Sequence, residues 1–142
     1  MQKYSDKIKV PSDVAVEVEK KRKEVSVEKL PTDYPIFDIG AKTVENYAKI
    51  IRNAKSIVVS GPMGVFENKE FVYGTKKTFE EIANSKAFSL AGGGHTIAAL
   101  QELGLSNKIS YISTAGGALI EFLMGKKLPG VVALEEAATR KP

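Results

Sequence analysis

The pattern of apolar positions changes once along the chain, near residue 38. Before it, apolar and polar residues alternate in short segments, as at Val14, Val16 and Val18. Alternation with a period of two is typical of half-buried strands. Three short strands are predicted, at residues 7–10, 14–18 and 25–27. The charged segment 19–24 would be a turn between them, and a helix there fits the pattern almost as well.

Beyond that point, segments with helical spacing alternate with short apolar segments. In the first of them, Val44, Ala48 and Ile51 share one helix face, and Thr43 is the predicted N-cap. Further helices are predicted at residues 75–84, 96–103 and 118–124, and buried strands at 56–60, 87–90 and 109–112. This alternation predicts an α/β chain. We expect a Rossmann-like, three-layer parallel sheet with helices on both faces, preceded by the short N-terminal strands.

Composition excludes several classes of protein. The chain has 142 residues, no Cys and one His, which removes thiolate zinc sites, a cysteine nucleophile and a His-rich metal cluster. Lys and Arg number 21 and Asp and Glu 17, and the longest basic run is only residues 20–23. We therefore expect no nucleic-acid partner. No apolar stretch reaches about 18 residues, so we expect no membrane partner and a cytoplasmic location.

Glycine is distributed unevenly. All 12 glycines lie from Gly40 onward, and three clusters follow predicted strands: Gly61 with Gly64, residues 92–94, and residues 116–117. The carboxyl ends of parallel strands share one sheet edge, where ligands bind, and glycine lets an anion approach the N–H groups of a helix start. A tight turn explains any single cluster equally well, but three successive clusters favour a phosphate site. Neither a Walker loop nor a dinucleotide fingerprint is present.

The glycine clusters also belong to longer motifs. These are the sequence GPMGVFE at residues 61–67, followed by residues 74–75, 91–96, 109–118 and 125–131. Their order and spacing resemble phosphoglycerate kinase of the archaeal or bacterial type. Residues 8–13 and 38–40, with Thr43, extend the resemblance over essentially the whole chain. It resembles part of the C-terminal, nucleotide-binding domain of that two-domain kinase.

The resemblance implies a glycolytic transferase that moves a phosphoryl group between 1,3-bisphosphoglycerate and ADP, giving 3-phosphoglycerate and ATP, with Mg²⁺ on the nucleotide. Residues 1–142 would form a truncated nucleotide-binding domain, strand-rich over 1–37 and alternating over 38–142. The family's N-terminal substrate domain, its catalytic arginine and its basic patch have no counterpart here. We therefore expect a nucleotide half-site that is inactive alone, since the reaction depends on positioning both substrates.

The resemblance also implies roles for individual residues. Glu67 matches the glutamate that binds the nucleotide ribose, although a loop carboxylate capping the next segment is an alternative. Pro62 and Val65 match residues around the base and ribose, with plain packing as the alternative. The residues that match the phosphate-binding loop and helix start are Gly92, Gly93, Gly94, His95 and Thr96. Gly116 and Gly117 match glycines near the transferring phosphoryl group, and no metal ligand is expected in the chain.

Three positions depart from the family pattern. His95 replaces a common Asp, so direct metal ligation there is not expected; a neutral His could donate to phosphate or ribose, or be a surface N-cap without a ligand. Ser60 replaces a common Asn with a shorter polar group. Ala115 replaces the first of three glycines, which would strain the loop if that residue needed a positive φ.

The expected truncation has a structural consequence. Without the first strands and helices of the domain, a central strand would expose its edge and an apolar face. We therefore expect self-association or strand exchange through that edge. The alternative to an enzyme half-site is a non-catalytic nucleotide-binding or oligomerisation module of the same fold.

Overall fold

The computed structural model describes residues 4–140, so the outer ends of the predicted 1–37 and 38–142 segments lie outside it. The strands are β1 (Asp13–Val18), β2 (Lys21–Ser26), β3 (Ile36–Ile39), β4 (Ser56–Val59), β5 (Phe88–Gly92) and β6 (Tyr111–Ser113). The helices are α1 (Ala41–Asn53), α2 (Tyr73–Asn84), α3 (Gly94–Glu102), α4 (Gly117–Leu123) and α5 (Pro129–Thr139). The predicted α/β class, with a parallel sheet after short N-terminal strands, is confirmed.

The N-terminal strands form an antiparallel sheet of order β2-β1-β3. The predictions for residues 7–10 and 19–24 are wrong. Residues 8–10 are irregular and largely exposed, and most of 19–24 belongs to β2. Only Glu19 and Lys20 make the turn, with φ of 51° and 63°. Because β2 lies at the sheet edge, its charged side chains can reach solvent, and a charged strand results where the pattern favoured a turn or a helix.

The second sheet is parallel, with strand order β4-β5-β6. The side chains on one face of this sheet pack against α2 and α3 and form the main hydrophobic core. This core includes Val59, Ala91 and the fully buried Phe79 and Leu100. Much of the opposite face of the sheet remains accessible to solvent. Three large hydrophobic side chains on it, those of Val58, Phe88 and Tyr111, have more than half of their surface exposed. This open face is met at its end by α4, whose Leu119 lies against Gly92.

The start of α1 is held by a carboxylate from β1. Asp13 accepts hydrogen bonds from the backbone N–H groups of Lys42, at 3.1 Å, and Thr43, at 2.7 Å, and from the Thr43 hydroxyl. The helix begins at Ala41 after Gly40, so the prediction of Thr43 as the N-cap is wrong. Burial raises the pKa of Asp13, but the hydrogen bonds from Thr43 and Lys42 outweigh it and hold that pKa below its ordinary value.

No helix within residues 4–140 combines the length and the apolar character that crossing a membrane requires.

Candidate functional site

The three glycine loops meet at the carboxyl ends of the parallel strands, as the strand-end pattern predicts. The Gly61 N–H donates to Thr96 Oγ1 at 2.6 Å, which joins the loop after β4 to α3. A Cβ on Gly93 would lie 3.7 Å from Thr96 Oγ1 and 3.9 Å from Ser60 Oγ, and one on Gly116 would lie 3.3 Å from Gly93 Cα. We call these five residues, Ser60, Gly61, Gly93, Thr96 and Gly116, the glycine corner.

Backbone conformation explains two of these glycines. Gly61 and Gly93 have φ of +106° and +97°, values that other residues adopt only with strain. Gly116 has an ordinary φ of −82°, and its glycine is explained by the close backbone of Gly93. Within residues 4–140, the non-glycine residues with positive φ are Glu19 and Lys20. Ala115 therefore carries no backbone strain, and its departure from the family pattern is accommodated.

The start of α3 is open to a ligand. Gly94 and His95 are its first two residues and both are exposed, and no described side chain caps the helix. The first N–H groups of a helix have no partner within it and carry partial positive charge. A methyl group on Gly94 would meet nothing within 4 Å, nor would one on Gly117 at the start of α4. An anion could thus reach this backbone without steric obstruction.

Thr96 occupies a different environment from its neighbours. It is the third residue of α3 and only 1% exposed, and its hydroxyl oxygen accepts the Gly61 N–H. The exposed helix start at Gly94 and His95 therefore adjoins the buried Thr96 hydroxyl of the glycine corner.

The loop from residue 61 to residue 67 is fixed through its backbone. Besides the Gly61 bond, the Met63 N–H donates to Thr75 Oγ1 at 3.0 Å and the Val65 N–H to the Phe37 carbonyl at 2.8 Å. These three donors are occupied within the protein, and a proline between the first two has no N–H. These three N–H groups are therefore not available to a ligand.

The predicted site residues on this loop lie at or near its surface. Val65 is 41% exposed, Glu67 is exposed and Pro62 is half-buried, whereas the intervening Phe66 is in the core. Within residues 4–140, no hydrogen bond or ion pair joins Glu67 to the glycine corner. The structure thus brings the glycines, Ser60 and Thr96 together and places Glu67 on an accessible part of the connected loop.

A buried ion pair packs against the loop of residues 61–67. Asp38, with a fully buried side chain, accepts hydrogen bonds from Arg22 Nη1 and from the Gly74 N–H, both at 2.7 Å. The Arg22 guanidinium also donates to the Ile39 carbonyl at 2.8 Å and lies 5.1 Å from the centre of the Tyr73 ring. The ion pair therefore links the antiparallel sheet to the start of α2.

Two glycines are explained by this carboxylate. A Cβ on Gly64 would clash with the Phe37 carbonyl and with Asp38, and one on Gly74 would clash with the Asp38 carboxylate. The supporting roles of Asp38, Arg22 and Thr75 were not predicted from the sequence. Their contacts span 12 to 36 residues, so no local pattern in the sequence could have shown them.

The chemistry of the corner suits phosphate better than a bare cation. Within the described part of the chain, no three or more His, Cys, Asp or Glu residues are grouped to hold a metal ion. The exposed side chain at the start of α3 is His95, where an oxygen ligand would suit Mg²⁺ better. Backbone N–H groups beside glycine are, by contrast, suited to phosphate oxygens.

Comparison with known proteins agrees with this geometry. The phosphoglycerate kinase family model matches residues 1–126. Phosphoglycerate kinases of Methanothermus fervidus and Methanococcus maripaludis are 48% and 50% identical over 97% and 95% of the chain. The crystal structure of the Pyrococcus horikoshii phosphoglycerate kinase superposes with a TM-score of 0.83 and 42% identity, covering 94% of this chain and 34% of that one. The chain spans about a third of the length of these relatives. It belongs to the phosphoglycerate kinase family.

Proposed function

We propose that this chain supplies the nucleotide half-site of a phosphoglycerate kinase, which transfers a phosphoryl group between 1,3-bisphosphoglycerate and ADP. The observation that carries the proposal lies at the glycine corner. There the starts of α3 and α4, at Gly94 and Gly117, face solvent at one edge of the sheet. A diphosphate or triphosphate matches such a surface because the partial positive charge of a helix start stabilises anions. Family membership supports the choice of a nucleotide.

The predicted site residues contribute to this proposal in different ways. The backbone of Gly93, Gly94 and His95 would hold the phosphates, while Gly92 lets Leu119 pack against the end of β5. Gly116 and Gly117 would leave space for the phosphoryl group in transfer. The residues proposed to face the base and ribose are Pro62, Val65 and Glu67. Phosphoryl transfer depends mainly on positioning and on neutralising charge, which fixed N–H donors and accessible glycine backbone provide.

Mg²⁺ would enter with ATP or ADP. Its preferred oxygen ligands would come from the phosphates and water, because the described residues provide no carboxylate cluster at the corner. Bound there, the ion would neutralise phosphate charge during transfer. His95 would act by donating a hydrogen bond to phosphate or ribose.

Calorimetric titration of the full 142-residue chain with Mg-ADP tests the proposal. We expect saturable binding that weakens in Glu67→Ala. Glu70→Ala is the matched control, because it removes an exposed glutamate three residues further along and should leave the affinity unchanged. Absence of heat at millimolar nucleotide would overturn the proposal and favour the second candidate, an oligomerisation module of the same fold.

We also propose that these 142 residues do not catalyse the reaction by themselves. They correspond to about a third of the family's length, and the substrate domain, with the residues that hold the sugar phosphate, would be supplied by another part of the protein or another chain. Half of the substrate positioning that the reaction needs is thus outside residues 1–142. A coupled assay of ATP formation should show no rate above the blank, and measurable turnover would contradict this.

The open sheet face supports a proposal of self-association. Val58, Phe88 and Tyr111 are 51%, 57% and 58% exposed on one face, and β4 lies at the sheet edge. We propose that a second copy covers this surface in the 142-residue chain. Sedimentation should show dimers at low micromolar concentration that dissociate in Phe88→Lys but not in the control Leu134→Lys, which alters an exposed leucine on α5. A monomeric wild-type chain would overturn the idea.

The proposed location is the cytoplasm, where glycolysis takes place.

A further inference from the structure

We infer that Thr96 and Thr75 are positioning residues, whose hydroxyls align the loop of residues 61–67 with the helix starts of the glycine corner. The inference rests on the proposed nucleotide site. It concerns how the loop of residues 61–67 is held in position relative to the helix starts. It assigns the Thr96 hydroxyl to the protein's own backbone, whereas the family resemblance groups Thr96 with residues that meet the nucleotide phosphates.

The two threonines are placed alike. Thr96 is the third residue of α3 and Thr75 the third residue of α2, and they are 1% and 0% exposed. Each accepts a backbone N–H from the loop: Gly61 donates to Thr96 Oγ1 at 2.6 Å and Met63 to Thr75 Oγ1 at 3.0 Å. The loop is therefore attached to the first turns of two different helices through two alternate residues.

These attachments fix where the side chains of the loop point. Gly61 has a positive φ, so its N–H reaches Thr96 in a conformation that only glycine adopts easily. Two and four residues later, Met63 and Val65 are bonded to α2 and to the Phe37 carbonyl. With these donors fixed, Glu67 at the end of the loop is held in a defined position relative to α3. Removal of the Thr96 acceptor would leave a part-buried N–H unsatisfied and free the loop to shift.

A comparison of adenosine with ADP separates positioning from direct contact. Adenosine carries the base and ribose but no phosphate, so a hydroxyl that only touches phosphate cannot affect its binding. We expect Thr96→Val to weaken binding of adenosine and of Mg-ADP by the same factor, about tenfold. Thr96→Ser, which keeps the acceptor, should restore both. Titrations followed by NMR measure both affinities.

Thr78→Val is the matched control. Thr78 is also a buried threonine on α2, but its hydroxyl has no hydrogen-bond partner among the described residues. We expect adenosine and Mg-ADP affinities of this variant to equal those of the wild type. Should Thr96→Val fail to fold, Thr75→Val tests the same alignment at the Met63 attachment, with Thr75→Ser as its rescue.

Amide hydrogen exchange provides a readout that needs no ligand. The Gly61 amide should exchange at least about tenfold faster in Thr96→Val than in the wild type or in Thr96→Ser. Unchanged Gly61 exchange would overturn the attachment. A Thr96→Val variant that loses ADP affinity but keeps adenosine affinity would show direct phosphate contact and overturn positioning, as would unchanged affinity for both ligands. Failure of the wild type to bind either ligand would instead overturn the proposed function.

Discussion

Two of the three loops that meet at the glycine corner differ in whether their backbone N–H groups are occupied within the protein. In the loop after β4, the donors of Gly61, Met63 and Val65 are occupied by Thr96, Thr75 and Phe37. At the start of α3, glycine is followed by exposed residues and an uncapped helix end. Gly64 of the first loop packs against the Phe37 carbonyl and Asp38, whereas Gly94 of the second faces open space. Glycine content alone therefore does not identify a phosphate site.

The attached loop should lose its support when the ion pair behind it is broken. Asp38→Ala leaves the Arg22 guanidinium and the Gly74 N–H without their acceptor, and the two side chains of the pair are 16% and 0% exposed. Loss of one partner of a buried pair costs about 3–5 kcal/mol, and we expect about 3 kcal/mol less free energy of unfolding in urea denaturation. Glu81→Ala, which breaks an exposed pair with Arg52, is the control and should cost much less. Equal losses would contradict the supporting role.

Adjacent glycines at the open helix start should respond in opposite ways. Gly93→Ala forces a side chain onto a φ of +97° and should cost about 1–3 kcal/mol of unfolding free energy. Gly94→Ala meets open space in a helical residue and should leave stability equal or slightly higher. In calorimetric titration, however, its methyl group should obstruct phosphate and weaken Mg-ADP binding. A destabilised Gly94→Ala variant would contradict this picture of the helix start.

The start of α1 shows what a filled helix start does, because Asp13 occupies it. We expect Asp13→Ala to cost about 1 kcal/mol at pH 7, as loss of a capping group does. Since the folded-state pKa of Asp13 is lowered, its contribution to stability is present above the ordinary value of 3.8 and is lost as the pH falls through the lower folded-state value. Urea denaturation from pH 7 to pH 3 should therefore show a shallower decline in Asp13→Asn than in the wild type. Parallel curves would contradict the assignment.

The smallest effect is expected at His95. Its side chain is exposed, so His95→Ala should change the free energy of unfolding by less than about 0.5 kcal/mol. If the imidazole donates to the nucleotide, Mg-ADP affinity should fall about threefold, and His95→Gln, which keeps a donor, should retain most of it. Equal affinity in all three proteins would assign His95 to the surface alone.

The alternating helices and parallel strands could be predicted because their signals are local. The apolar runs before Gly61 and Gly93 predict the strands, although these are half-buried rather than buried, and the spacing of Phe79 and Ile82 predicts a helix face. Local periodicity failed for β2, whose charged residues form a strand only because β1 pairs with it along its length. That pairing is a tertiary effect that overrides local preference.

The candidate site could be predicted from the sequence to a similar extent. The position of the glycine loops follows from the rule that parallel strands end at one edge, and their chemistry from the family motifs. What the sequence could not show is which N–H groups are already occupied. The bonds from Gly61 to Thr96 and from Gly74 to Asp38 each join residues more than 30 positions apart, so only the folded chain reveals them.

The Asp38 carboxylate also constrains the order in which this sequence can change. Gly74 is required chiefly by a side chain, so Ala at that position becomes tolerable once Asp38 has been replaced by a smaller residue and Ile39 has adjusted. Gly64 is required by the Phe37 carbonyl as well, and that obstacle persists whatever residue 38 is. The two glycines, which look equivalent in the sequence, therefore differ in what requires them: Gly74 depends on the residue 36 positions earlier in the chain, whereas Gly64 is fixed by the path of the main chain.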